Sequence, residues 1–252
     1  MRKITTIKDL QLKAKRRVPR MFYDYADSGS WAEVTYKSNE ADFNKIKLRQ
    51  RVAVDMSNRS IRTQMLGQEV SMPTALAPTG LTGMQRADGE ILAARAAMKF
   101  GVPFTLSTLS ICSIEDVAEN SVEPFWFQLY VMNDHNYSRR LINRAKKAGC
   151  SALMLTLDLQ ILGQRHKDIK NGLSIPPNFR SVSNFFDLLL KPRWCFEMLR
   201  TKRRSFRNVV GHVDGVSDVS SLSSWVSETF DLKFTWDDIA RIKDWWGGKL
   251  IL

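Results

Sequence analysis

From residue 72 onward, short apolar runs alternate with longer amphipathic stretches. Each apolar run is rich in Val, Ile, Leu and Phe and is short enough for a strand buried on both faces, whereas each amphipathic stretch repeats its apolar residues at helical spacing. The apolar runs are MPTALAP, PFTLST, PFWFQLY, SALMLTLD and KLIL. Because strands and helices alternate, the pattern predicts an α/β fold with a parallel sheet covered by helices.

The number of strand–helix units predicts a TIM (β/α)8 barrel of which only about the first half is present. A closed barrel needs about 250 residues, and only four complete units and a fifth strand fit here. We expect an N-terminal helical cap over residues 1–71, strands one to four over residues 72–158, a long basic loop over residues 159–232, and a helix with strand five over residues 233–252. The chain is therefore expected to be the N-terminal part of a longer protein.

Charge and hydrophobicity narrow the class of protein. The chain has 252 residues, of which 44% are hydrophobic, and a formal net charge of +12. The positive charge is concentrated, because residues 2–20 hold eight Lys or Arg and residues 165–207 hold eleven. No stretch approaches the roughly 18 apolar residues of a membrane-spanning helix, and the N-terminus lacks the apolar core of a signal peptide. We therefore expect the protein to stay on the cytoplasmic side.

Cysteine usage adds little chemistry. The three cysteines, Cys112, Cys150 and Cys195, are widely spaced and form no C-x-x-C pair. This arrangement predicts reduced thiols, with neither a disulfide framework nor a metal site.

Polar residues stand at the ends of four successive predicted strands, and in a parallel barrel the carboxyl ends of the strands line the site. Together, hydroxyls, an amide, a phenol and a carboxylate could hydrogen-bond the edge of a planar heterocycle. Taken singly, each could merely start a turn. An amide between two apolar neighbours, however, has to find buried partners. These strand ends are Pro78-Thr79-Gly80, Ser107-Thr108, Gln128-Leu129-Tyr130 and Thr156-Leu157-Asp158.

Five longer motifs carry a resemblance to a known family. The sequences FYDYADSGS, MPTALAPTGLTGM, PFTLSTLSICSIEDVA, WFQLYV and TLDLQILGQRHKD resemble the FMN-dependent α-hydroxy-acid dehydrogenases and oxidases, in particular their L-lactate dehydrogenases. The resemblance runs from about residue 4 to the end. It implies FMN as cofactor and oxidation of L-lactate, or a similar L-2-hydroxy acid, to pyruvate or the matching 2-oxo acid. It also implies a respiratory quinone or cytochrome as electron acceptor.

The resemblance further implies roles for individual residues. Tyr25 matches a tyrosine that contacts the substrate carboxylate, and Tyr130 matches one beside the substrate's hydroxyl and carboxylate. Arg165 matches a loop arginine near the same carboxylate, which a guanidinium can hold in bidentate fashion. Asp158 matches the carboxylate that orients the catalytic histidine. The residues that match flavin contacts are Ala77, Pro78, Thr79, Ser107, Gln128 and Thr156.

Other elements of the family pattern are absent from the sequence. There is no HGGRQ-type segment to supply the catalytic histidine and a carboxylate-binding arginine, and His135, His166 and His212 match none of it. We expect these three to be surface residues in loops. Lys249 begins a strand and does not match the family's flavin lysine, and no phosphate-binding loops are visible. The chain alone is therefore expected to be inactive.

The basic insertion mixes aromatic and cationic side chains. Over residues 180–207, Phe185, Phe186, Leu188, Leu189, Leu190, Trp194, Phe196, Met198 and Leu199 are interleaved with Arg180, Lys191, Arg193, Arg200, Lys202, Arg203, Arg204 and Arg207. This composition predicts an interfacial segment on an anionic membrane surface. Nucleic acid is disfavoured, since no recognition module accompanies the segment. A helical cover with a solvated outer face is the alternative.

These features favour a peripheral enzyme on the cytoplasmic side of the inner membrane, a homo-oligomer when full length. Two rival functions stay open at this stage. One is a 2-hydroxy-acid oxidase that gives its electrons to O2, because the strand-end residues serve both kinds of enzyme. The other is a truncated, non-catalytic protein that binds a membrane or a partner through its basic segment.

Overall fold

A computed structural model describes residues 3–161, 163–173, 182–213 and 230–252. Helices and a small hairpin form the N-terminal part. Helix α1 begins at a capping box, in which the Thr6 hydroxyl accepts from the Asp9 amide and the Asp9 carboxylate accepts from the Thr6 amide. The elements are α1 (Ile7–Arg17), α2 (Arg20–Ala26), α3 (Val34–Ala41), a 3-10 turn (Asp42–Lys45), and strands β1 (Thr63–Met65) and β2 (Gln68–Val70).

The main sheet has four parallel strands in chain order, namely β3 (Thr105–Ser107), β4 (Trp126–Leu129), β5 (Ala152–Leu155) and β6 (Lys249–Ile251). Helices α4 (Thr82–Gln85) and α5 (Gly89–Phe100) precede β3, and α6 (Ile114–Glu119), α7 (His135–Lys147) and α11 (Trp236–Trp246) lie between later strands. Parallel strands that neighbour one another in sequence order, with helices between them, are the repeating unit of a (β/α)8 barrel. The α/β prediction and the partial barrel are confirmed.

The first predicted strand is shorter than the pattern indicates. Leu76 forms one parallel bridge with Phe104, in which its amide donates to the Pro103 carbonyl at 2.8 Å. Pro78 stands two residues further on, at the next position whose N–H would face β3, and it has no N–H to donate, so the ladder cannot extend there. The backbone nevertheless runs alongside β3, and this places residues 77–80 at the same edge as the ends of β3, β4 and β5.

The insertion is not a plain loop, which corrects the expectation for residues 159–232. Its described parts contain α8 (His166–Lys170), α9 (Val182–Leu189) and α10 (Pro192–Arg200). Helix α10 begins with a proline at its first turn, where the missing N–H costs nothing. Arg180 lies outside the described residues. Within the described part of the chain, no helix is long and apolar enough to cross a bilayer.

The core lies between the sheet and the helices that flank it. Strand side chains are buried on both faces, and α7 packs its apolar stripe against them. Each large side chain removed from water contributes roughly 1.5–3 kcal/mol to folding. Fully buried members include Leu106, Phe127, Leu129, Leu153, Tyr137, Leu141 and Ile142. The polar strand ends therefore stand on a rigid support.

Candidate functional site

Three strand ends are joined by a row of side-chain hydrogen bonds. The Ser107 hydroxyl donates to Gln128 Oε1 at 3.2 Å, and Gln128 Nε2 donates to Thr156 Oγ1 at 2.9 Å. Gln128 is 1% exposed, as expected for an amide between apolar neighbours. Ser107, Gln128 and Thr156 thus lie side by side on β3, β4 and the end of β5, and we call them the strand-end row.

Thr108 holds Gln128, the central residue of this row, through two further hydrogen bonds. Its amide donates to Gln128 Oε1 at 3.2 Å, and its hydroxyl donates to the Gln128 carbonyl at 2.6 Å. The same hydroxyl oxygen accepts from the Tyr130 amide at 3.2 Å. Sequence reasoning treated Thr108 only as part of a strand end. The sequence does carry a signal for this role, because Thr108 places a second hydroxyl directly after that of Ser107.

The turn after Leu76 closes against Tyr25. A Cβ built on Gly80 would lie 2.7 Å from Tyr25 Oη, so only glycine allows this approach without displacing the phenol. Ala77 and Thr79 are exposed and Pro78 is half-buried. The predicted flavin-contacting turn and the predicted carboxylate-contacting tyrosine are therefore neighbours.

Glu90, which the sequence did not single out, holds α4, the helix that follows this turn. Its Oε1 accepts from the amides of Gly83 in α4 and of Ile111, both at 2.9 Å, and the residue is 2% exposed. A buried carboxylate that bridges two backbone amides ties α4 to the loop that follows β3.

The two tyrosines of the site are protonated at neutral pH. Burial raises the pKa of Tyr130 to about 12, and the nearby Tyr25 and Asp158 add to the shift. Burial also raises the pKa of Tyr25, against the opposing effect of Arg165. Both hydroxyls can therefore donate hydrogen bonds. Phe230 packs edge-on against Tyr130, with ring centroids 5.7 Å apart.

Arg165 lies against Tyr25, but its guanidinium is largely bound within the protein. Nε donates to Asp168 Oδ2 at 2.5 Å, and Nη2 donates to Ser28 Oγ at 3.0 Å and to the Tyr25 carbonyl. The guanidinium carbon lies 4.9 Å from the centre of the Tyr25 ring. With Nε and Nη2 engaged, Nη1 is the one guanidinium nitrogen without a hydrogen bond to a described residue, and the expected bidentate fork is not available in this arrangement.

Asp158 lies next to the site, whereas two of the three histidines lie at the starts of helices. Asp158 is exposed beyond β5 and close enough to Tyr130 to influence its pKa. His135 and His166 begin helices, which corrects their assignment to loops. His135 is also half-buried, and its Nε2 lies 2.8 Å from Asp231 Oδ2. Of the three, only His212 is an exposed residue outside helices, as expected.

The described residues hold no cluster of metal ligands, and Lys249 does not contact the strand-end row. No group of three or more His, Cys, Asp or Glu side chains in the described ranges could hold a metal ion. The Lys249 ammonium donates to the Leu66 carbonyl in the β1–β2 hairpin, away from the strand-end row.

The donor set fits the edge of a flavin ring. Thr156 Oγ1 accepts from Gln128, and a hydroxyl that accepts one bond can still donate its own proton to a ligand. Gly80 leaves room in the turn opposite for the Tyr25 phenol. Hydroxyl and amide groups next to this turn suit a planar heterocycle with polar edge atoms.

Comparison with known proteins assigns the chain to a family. Residues 14–252 match the family described as FMN-dependent dehydrogenase. The chain is 37% identical over 250 residues to the L-lactate dehydrogenases of Acinetobacter baylyi and of Ectopseudomonas mendocina, with 99% of this chain and 65% of each relative covered. Among solved structures, the monotopic membrane protein (S)-mandelate dehydrogenase superposes with a TM-score of 0.91 at 32% identity, covering 99% of this chain and 66% of that one.

Proposed function

Because the chain belongs to the FMN-dependent dehydrogenase family, we propose that it forms part of an enzyme that binds FMN and oxidises L-lactate or a similar L-2-hydroxy acid to the 2-oxo acid. The observation that carries this proposal is the hydrogen-bonded strand-end row beside Tyr25 and Tyr130. The L-lactate dehydrogenases of similar sequence support the choice of substrate.

The flavin would be held by the strand ends and the turn opposite them. Ser107, Gln128 and Thr156 would bond the polar edge of the ring, and the backbone of Ala77, Pro78 and Thr79 would lie against it. Bound FMN accepts the two electrons released when a 2-hydroxy acid becomes a 2-oxo acid. Hydrogen bonds at the ring edge would tune how readily it does so.

The substrate would be bound by the tyrosines and the arginine. Tyr25 and Arg165 lie together and would hold the carboxylate, with Arg165 offering Nη1. Tyr130 donates a hydrogen bond to the substrate hydroxyl or carboxylate. These contacts orient the substrate beside the flavin without themselves taking the proton.

A histidine base has to come from outside the described site. Asp158 would orient that histidine and stabilise its cation, as carboxylates do in other acid–base pairs. None of the three histidines reaches the strand-end row in the described part of the chain. We therefore propose that the 252 residues by themselves are inactive.

The test compares two forms of the protein under argon: the 252-residue chain and a longer form that spans the full length of its relatives. Each is mixed with FMN and then with L-lactate or D-lactate. We expect L-lactate to bleach the visible flavin absorption in the longer form, with no bleaching in the short one. Flavin binding without bleaching in the longer form would refute the substrate. Bleaching in the short chain would refute the missing base.

The acceptor is proposed to be a respiratory quinone or cytochrome, and the rival is an O2-dependent oxidase. Stopped-flow mixing of the reduced longer form with air-saturated buffer or with a soluble quinone separates them. Fast reoxidation by quinone and slow reoxidation by O2 are expected. The opposite order would make the protein an oxidase.

We also propose that the described helices of the insertion rest on an anionic membrane surface, on the cytoplasmic side of the inner membrane. Six large apolar side chains on or next to α9 and α10 are more than half exposed, and exposed cations flank them. Each Lys or Arg near such a surface contributes about 1 kcal/mol. The apolar residues are Phe185, Phe186, Leu189, Leu190, Phe196 and Leu199. A relative described as a monotopic membrane protein supports the same idea.

Other cations and aromatics of the insertion serve the fold. Arg203 and Arg207 form ion pairs with Asp116, and Arg203 also pairs with Asp88. The Trp194 indole N–H donates to the Met84 carbonyl at 2.7 Å. Deletion of residues 184–207 would therefore destabilise the fold as well as remove the proposed membrane-binding surface, so it is not a clean test.

Point substitutions test the membrane proposal more cleanly. In the longer form, Phe185→Ser with Phe186→Ser should greatly reduce sedimentation with phosphatidylglycerol vesicles. Phe43→Ser, which changes an exposed phenylalanine on the 3-10 turn, is the control and should bind like the wild type. Equal binding of all three proteins would refute the proposal. A homo-oligomeric state of the longer form is a further expectation, which light scattering measures.

A further inference from the structure

Residues 165–171, which include Arg165, are held to residues 24–33 at the end of α2 by polar contacts that we call the clasp. Besides the contacts of Arg165, the Lys167 ammonium lies 3.1 Å from Glu33 Oε1 and donates to the Asp27 carbonyl. The Asn171 amide donates to Asp24 Oδ2 at 2.7 Å. Two segments about 140 residues apart in sequence are thereby held together at the site.

Asp168 is the most deeply buried charged group of this clasp. Its Oδ2 accepts from Arg165 Nε, whereas its Oδ1 is buried without a hydrogen-bond partner among the described residues. A buried carboxylate oxygen that lacks a partner is costly, so Asp168 adds less to stability than a carboxylate with both oxygens paired.

The position of Asp168 determines how Arg165 presents its charge. Asp168 holds the Nε edge, while Ser28 and the Tyr25 carbonyl hold Nη2. A guanidinium is planar and rigid, so fixing two nitrogens also fixes the third. Nη1 makes no hydrogen bond to any described residue, and it is the nitrogen left for an anion.

We propose that Asp168 is a positioning residue that fixes the Arg165 guanidinium on Tyr25, so that Nη1 meets the carboxylate of the substrate. This inference rests on the proposed function, because it needs Arg165 to bind a carboxylate. Asp168 itself touches neither substrate nor flavin. Without its charge the guanidinium can swing off the Tyr25 ring, and the open nitrogen loses its fixed direction.

Binding of oxalate, an unreactive dicarboxylate, tests the inference without turnover. Isothermal titration calorimetry of the FMN-loaded longer form measures the oxalate Kd for Arg165→Ala, Asp168→Asn and the double variant. We expect each single change to weaken binding about tenfold, and Asp168→Asn to add no further loss in the Arg165→Ala background. Glu33→Gln is the matched control: it breaks the neighbouring ion pair of the same clasp and should leave the oxalate Kd unchanged.

The outcomes separate this inference from the proposed function. An unchanged Kd in Arg165→Ala would overturn the role of Arg165 and the inference with it. A weaker Kd in Arg165→Ala with an unchanged Kd in Asp168→Asn would overturn the inference alone. Additive losses in the double variant, or an equal loss in Glu33→Gln, would show that Asp168 merely stabilises the clasp and would also overturn it.

Discussion

Replacing Gln128 by methionine removes the centre of the strand-end row while nearly preserving side-chain volume. Gln128 makes three side-chain hydrogen bonds, to Ser107, to the Thr108 amide and to Thr156. The two hydroxyls can turn to other partners, but the buried Thr108 N–H cannot. We expect a loss of about 3–5 kcal/mol in the free energy of unfolding, since the two lost bonds to hydroxyls cost about 1 kcal/mol each and the buried unpaired amide about 1–3 kcal/mol.

Urea unfolding followed by tryptophan fluorescence measures this loss. Gln160→Met is the control, because Gln160 is exposed and its side chain donates to the Phe234 carbonyl at 2.9 Å, at the surface of the described part of the chain. It should shift the free energy of unfolding by less than about 0.5 kcal/mol. If Gln128→Met were as stable as this control, with an unchanged denaturant slope, the row would not be a buried hydrogen-bond network.

Two further predictions concern titratable groups. Hydrogen bonds from Arg144 lower the pKa of Glu115 from 4.5 to about 2, so the stabilisation from this pair is present above about pH 4.5 and is lost as the pH falls towards 2. The difference in urea midpoint between wild type and Glu115→Gln should therefore shrink over that range. A constant difference would contradict the pairing. Burial raises the pKa of Cys150 to about 12 and also raises that of Cys112. A disulfide reagent at about pH 8 should therefore modify Cys195 first and the other two only after unfolding, whereas rapid reaction of all three in the native protein would show that the core is open.

Local pattern was enough to predict strands β3 to β6 and the burial of Gln128. Alternation of apolar runs with amphipathic stretches reports burial directly, and an amide inside such a run has to be paired. The prediction of a full first strand failed because the pattern counts apolar residues, whereas Pro78 removes the next amide that could donate to β3. Helices α9 and α10 fit the helical cover that the sequence left open as an alternative for this segment.

The partners of the site residues could not be read from local pattern. Arg165 was assigned through motif resemblance, and nothing in its own segment predicts that Tyr25 and Ser28, about 140 residues earlier, would bind it. The same holds for Glu90, which accepts hydrogen bonds from the amides of Gly83 and Ile111, and these two amides come together only in the fold. Such contacts depend on which helices pack together, and spacing along one segment does not encode that.

The affinity for FMN of a Thr156→Val variant tests the central claim most directly. Valine keeps the shape of threonine but removes the hydroxyl that accepts from Gln128 and that would donate to the flavin edge. In the longer form, measured by quenching of flavin fluorescence, we expect the Kd for FMN to rise about tenfold, which corresponds to about 1.4 kcal/mol. Thr63→Val, an exposed change in β1, should leave it unaltered. Equal Kd values for wild type and Thr156→Val would contradict the placement of FMN at the strand ends.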